Sequence, residues 1–226
     1  MTSLGSIDTI VFDILGTLVD HNAGIRTQLG VFGATPDAAD ELTSQWHSLV
    51  GAEHARIVRG ERDYAAGKVL DREAARTICA AAGISDPAAV DSLVDAAGFL
   101  PPWPDSADAL ARLSKEKEII GLSNADTTAL LRMNARAGLR WHSALSTQAI
   151  STYKPDPAVY QLATRVAGRD PDRILMVAAH SWDLRGAQAA GLRTAYLNRP
   201  TGDPPTNEDM FDFRFEALSE LVDAIC

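Results

Sequence analysis

The second half of the chain alternates short β-branched runs with helical stretches, and this alternation restricts the fold more than any other feature. Ser106 to Leu113 has helical apolar spacing, Glu118 to Leu122 reads as a strand ending in Ser123-Asn124, and Thr127 to Ala137 is a helix stopped by Gly138. Ser143 to Ser146 is a short strand, Pro157 to Val166 helical, Arg173 to Ala179 a buried strand, and Asp183 to Ala190 a helix closed by Gly191. Thr194 to Leu197 and a short edge strand at Phe213 to Phe215 precede a last helix, with a Pro-, Gly- and Asp-rich loop at Arg199 to Asn207. Parallel strands need long crossovers, so this order implies a doubly wound α/β sheet with helices on both faces.

One further strand stands apart, at the start. Ile7 to Phe12 is apolar and β-branched, as a strand buried on both faces must be. It ends abruptly in Asp13, with Gly16 and Thr17 close behind. In an open α/β sheet the carboxyl end of such a strand opens onto the ligand crevice. Asp13 is therefore aimed at whatever binds, although an Asx-turn would also account for an Asp after a strand.

Between this strand and the alternating half, no convincing strand appears from Leu18 to Phe99. Pro36 to Ile57, Arg72 to Ala82 and Pro87 to Ala97 carry helical spacing instead. Leu100-Pro101-Pro102-Trp103-Pro104 is a stiff extended connector, because each Pro disfavours helix at the residue before it. The expected architecture is a Rossmann-like core from residues 1–17 and 101–226, with an inserted helical cap from about 18–100.

Charge and cysteine usage exclude some partners. The 226 residues carry a net charge of −9 without a basic stripe, so a nucleic-acid backbone is not an expected partner. No apolar run reaches membrane-spanning length, and Met1 to Gly5 lack the regions of a signal peptide. Cys79 and Cys226 are isolated, which suits a reduced, cytoplasmic protein. A homodimer is left open.

Four strand ends carry polar residues: Asp13 with Thr17, Ser123 with Asn124, Lys154 in Tyr153-Lys154-Pro155-Asp156-Pro157, and His180 with Asp183. Each has a bland reading as a cap, a solvated lysine or a core imidazole. Their shared position at strand ends lets them converge on one crevice.

Phe-Asp-x-x-Gly-Thr-Leu, Leu-Ser-Asn, Tyr-Lys-Pro-Asp-Pro-x-x-Tyr and an acid after a buried strand resemble the four motifs of the haloacid dehalogenase superfamily, in order and across the chain. Leu100 to Asp105, Tyr153 to Tyr160 and Met176 to Leu184 are similar to the type II 2-haloacid dehalogenases. The resemblance implies hydrolysis of short 2-haloalkanoic acids to 2-hydroxy acids without metal or cofactor. Asp13 would attack the halogen-bearing carbon to form an aspartyl ester, Lys154 would keep Asp13 ionised, and Asp183 would activate water against the ester. Thr17, Ser123 and Asn124 would bind the substrate carboxylate or the halide, with Tyr160, His180 and Trp182 around them.

Ala178 and Ala179 stand where some relatives have serines, and two further departures bear on the chemistry. The superfamily phosphatases carry a general-acid Asp two residues after the nucleophile, where this chain has Leu15; halide needs no proton to leave. The dehalogenases commonly place a halide-binding Arg after a cap Trp, where this chain has Trp46-His47. A protonated His47 would accept halide in acid and lose that capacity as pH rises, with Arg56 or Arg59 as substitutes. A phosphatase, or a relative that only binds a small carboxylate, remain the alternatives.

Overall fold

A computed structural model of the chain describes residues 3–96 and 100–226; Ala97, the expected end of one helix, lies outside them. Six parallel strands form one sheet in the order β3-β2-β1-β4-β5-β6. They are β1 (Thr9–Asp13), β2 (Glu118–Ser123), β3 (Ser143–Ser146), β4 (Ile174–Ala178), β5 (Arg193–Leu197) and β6 (Phe213–Phe215). The chain leaves β1 toward β2 and β3, then returns past it to β4, so the topological switch point lies between β1 and β4. Ligand crevices open there, at the carboxyl ends.

β1 is buried at every position, and the two-residue period of a strand sends its side chains to opposite layers. Ile10 and Phe12 join Leu175 and Val177 on one face, covered by α5 (Ser106–Leu113), α6 (Thr127–Ala137) and α9 (Leu218–Ile225). Val11 joins Met176 and Ala178 on the other, under α7 (Pro157–Ala167) and α8 (Ser181–Ala189). Each helix offers one apolar stripe to the sheet, for example Val159, Tyr160 and Ala163 at i, i+1 and i+4 of α7.

Residues 23–96 add α1 (Ala23–Val31), α2 (Pro36–Val58), α3 (Gly67–Ala81) and α4 (Ala89–Ala96). Their own apolar cluster includes Ile25, Leu29, Trp46, Ile78 and Leu93. α1 was not legible as a separate helix, because no side chain caps its start and glycines interrupt it at positions 24 and 30. α2 is clearly marked: Thr35 accepts from the Ala38 N–H, and Pro36 opens the first turn. Among the described residues, no helix is long and apolar enough to cross a membrane.

Candidate active site

Asp13 is the last residue of β1, and the backbone reverses at Gly16 with φ +84. A side chain is excluded at Gly16 twice over. The positive φ strains any L-residue, and a Cβ would lie 2.6 Å from the His180 Nε2. This turn places Thr17 behind the carboxylate, where its hydroxyl donates to Asp13 Oδ2 at 2.7 Å and accepts from the Ala179 N–H at 2.9 Å. Thr17 thus ties the end of β1 to the end of β4. It is fully buried and does not face the cavity, so the expected contact with a substrate is replaced by a grip on Asp13.

Lys154 arrives from the segment after β3. Its backbone N–H donates to Asn124 Oδ1 at 3.0 Å, and its ammonium donates to Asp13 Oδ1 at 2.8 Å and to Asp183 Oδ2 at 2.7 Å. The three side chains lie 8% exposed or less. Burial alone would push the lysine down, but the two flanking carboxylates outweigh it and hold the ammonium above its ordinary range. One cation between two acids leaves one excess negative charge. Burial pushes the deeper acid, Asp183, above the usual carboxylate range against the pull of Lys154.

Asp183 flanks the Lys154 ammonium opposite Asp13, and Tyr160 backs it from α7. The Tyr160 hydroxyl donates to Asp183 Oδ1 at 2.7 Å, so both Asp183 oxygens are occupied, and neither residue lines the cavity. Tyr160 is a strut rather than a substrate wall, pinned because α8 approaches it at Gly186, where a Cβ would meet the Tyr160 hydroxyl at 2.5 Å. Ser123 is likewise fully buried and turned inward, accepting from the Ala125 N–H at 3.1 Å. Asn124, His180 and Trp182 do line the cavity.

The cavity, about 910 Å³, opens between the sheet edge and the helices of residues 23–96. Asp13, Leu15 and Lys154 stand at its floor, and α2 contributes Trp46, His47 and His54. Two ties join the layers. The Asp126 carboxylate accepts from the N–H groups of Gly67 and Lys68, each at 2.8 Å, at the start of α3. Tyr153 donates to the Ala65 carbonyl at 2.7 Å and stacks on His54.

Four of the five histidines, His21, His47, His54 and His180, line this one cavity. The separation of His47 and His54 by two helical turns was a visible signal that they share a face. Desolvation lowers both to about 4, and His21 also falls well below its ordinary value through burial and its histidine neighbours. His47 is therefore a neutral imidazole near pH 7, its Nε2–H donating to Asn22 Oδ1 at 2.8 Å. Desolvation works against the expected cationic halide acceptor at neutral pH. The proposed substitutes fare no better: Arg56 pairs with Glu53 and Arg59 with Glu61, and neither lines the cavity. Arg132 of α6, which sequence reasoning passed over, does line it. So does Asp71, whose carboxyl burial and the nearby Asp126 push up to about 7.

The histidines carry a stability consequence. An unfolded imidazole titrates near 6.5, so between there and about 4 the unfolded chain binds more protons than the folded one. The contribution of these two histidines is therefore complete above about pH 6.5 and falls with decreasing pH, by at most roughly 1.4 kcal/mol per pH unit for each. Denaturant titrations from pH 4 to 8 should show this slope. His47→Gln combined with His54→Gln should make it shallower, with the His21 share remaining; an unchanged slope would mean that these imidazoles are not desolvated.

The fold and the site together define an α/β enzyme with a lysine-bridged carboxylate pair at the switch point of a parallel sheet. The haloacid dehalogenase-like hydrolase family model matches residues 7–191, and the chain belongs to that family. An (S)-2-haloacid dehalogenase of Pseudomonas putida is 29% identical over 208 residues, covering 87% of each chain. The (S)-2-haloacid dehalogenase 4A of Burkholderia cepacia is 28% identical over 224 residues, covering 97% of this chain and 92% of the relative. The structure of an L-2-haloacid dehalogenase from Xanthobacter autotrophicus with chloropropionic acid covalently bound superposes with a TM-score of 0.83 at 25% identity, covering 96% of this chain and 97% of that one.

Proposed function

We propose that this enzyme hydrolyses the carbon–halogen bond of short 2-haloalkanoic acids through an aspartyl ester on Asp13. Residues 1–17 and 101–226 form the catalytic core, and 18–100 the cap. The observation that carries the reading is the Asp13 carboxylate at the cavity floor, anchored through one oxygen by Thr17 and through the other by Lys154. Two fixed hydrogen bonds orient it for in-line attack on a carbon above it. The carbon–halogen bond breaks as the Asp13 C–O bond forms, and the halide departs with the electron pair. Water then attacks the ester carbonyl and releases the 2-hydroxy acid. The covalent chloropropionic acid on the Xanthobacter relative supports such an intermediate.

Asn124 spends its Oδ1 on the Lys154 N–H, leaving its amide donors for the substrate carboxylate, and Arg132 adds a cation to the cavity lining. Leu15, on the cavity wall beside Asp13, offers no proton to a leaving alkoxide, and this favours halide over phosphate-ester substrates. The free Cys79 and Cys226 accord with a reducing, cytoplasmic setting.

The test is a panel of 2-haloacids and small phosphate esters, with and without Mg²⁺, read as halide and phosphate release. Halide release that is indifferent to chelator is expected. Phosphate release alone, or binding of haloacids without turnover, would replace this reading with a phosphatase or a carboxylate-binding relative.

A further inference from the structure

The ester must be opened by water, and the geometry points to His180 as the base that activates it. This inference rests on the ester mechanism proposed above. Asp183, the obvious alternative, is fully buried, donated to on both oxygens by Lys154 and Tyr160, and absent from the cavity wall. His180, the N-cap residue of α8, sits on that wall against Leu15 and Gly16 of the turn that follows Asp13.

Its tautomer follows from its partner. Nε2 lies 3.1 Å from the Leu15 carbonyl oxygen, which can only accept, so Nε2 carries the hydrogen. In the neutral ring Nδ1 is then an acceptor with a free lone pair. Nδ1 has no hydrogen-bond partner among the described residues and is not sealed from solvent. The ring is held by that carbonyl on one side and stacks with Trp182, centroids 5.8 Å apart, so its orientation is set before substrate arrives.

The step balances as follows. Water gives a proton to Nδ1 while its oxygen bonds to the Asp13 ester carbon. The tetrahedral intermediate collapses, breaking the bond to the substrate oxygen, and the departing alkoxide takes the proton back from the imidazolium. The Asp13 carboxyl now holds the water oxygen and loses its proton to solvent.

The experiment separates the two half-reactions in His180→Gln and His180→Ala. Glutamine can keep a donor to the Leu15 carbonyl but cannot take up the proton; alanine leaves room for added imidazole. With a 2-haloacid, both variants should release a burst of halide equal to the enzyme present. Ester hydrolysis should then slow by about 100-fold or more. Mass spectrometry of digests should find the ester on Asp13, and imidazole should speed its loss from His180→Ala. Parental turnover without ester accumulation would overturn the assignment, and so would variants that release no burst at all. A parent enzyme that never carries heavy oxygen from labelled water into Asp13 would instead overturn the ester reading itself.

Discussion

Asp13→Asn should lower turnover by about four orders of magnitude or more while leaving the fold intact. The amide matches the carboxylate in shape but is a far weaker nucleophile. It can still accept at one end from Thr17 or Lys154, now 2.7 Å and 2.8 Å from the carboxylate. Lys154 keeps its second partner, Asp183, so no buried charge is orphaned and the melting temperature should move little. In the parent enzyme, a single turnover in heavy-oxygen water should place the label in Asp13, because attack falls on the ester carbonyl. Label found only in the product would mean that water attacks the substrate directly. Asp13 would then be a base and not a nucleophile.

Lys154→Met should have the largest effect on stability. The ammonium is 1% exposed and neutralises two buried carboxylates, and removing one member of such a cluster typically costs about 3–5 kcal/mol. Methionine fills most of the alkyl volume, so the loss reports charge more than packing. Activity should fall with it, on the order of 100- to 1000-fold, because Asp13 loses the donor that orients it. The penalty should depend on pH with a definite sign. Asp183 already lies above the usual carboxylate range, and without the ammonium it rises further. A carboxyl raised in the folded state is most favourable below its unfolded value near 3.9 and loses that advantage as pH rises through its folded value. The gap between variant and parent should therefore narrow from pH 8 to pH 5, as read by denaturant midpoints of both proteins at each pH. A gap constant with pH would mean that the carboxylates find other compensation.

Local pattern determined much of this protein. The continuous apolar run of β1 and the breaks at Gly138 and Gly191 are properties of short stretches. So Ser143–Ser146, Phe213–Phe215 and the helices Ser106–Leu113 and Thr127–Ala137 were readable to the residue. Asp13, Lys154 and Asp183 were legible for a related reason: a charge at the end of an apolar strand, or in a proline-fixed loop beside one, is costly unless something meets it. Tertiary structure decided what each polar group meets. Lys154 and Asp13 touch across 141 positions of chain, and Thr17 reaches the Ala179 N–H across 162. The family resemblance implied substrate contacts for Thr17, Ser123 and Tyr160. They turn inward because nearby groups claim their hydroxyls: Asp13 and the Ala179 N–H for Thr17, the Ala125 N–H for Ser123, and Asp183 for Tyr160. The charge of His47 was hidden most completely. An imidazole sits near neutrality by default, and only the packing of α2 over the cavity, with other histidines around it, supplies the desolvation that keeps it neutral.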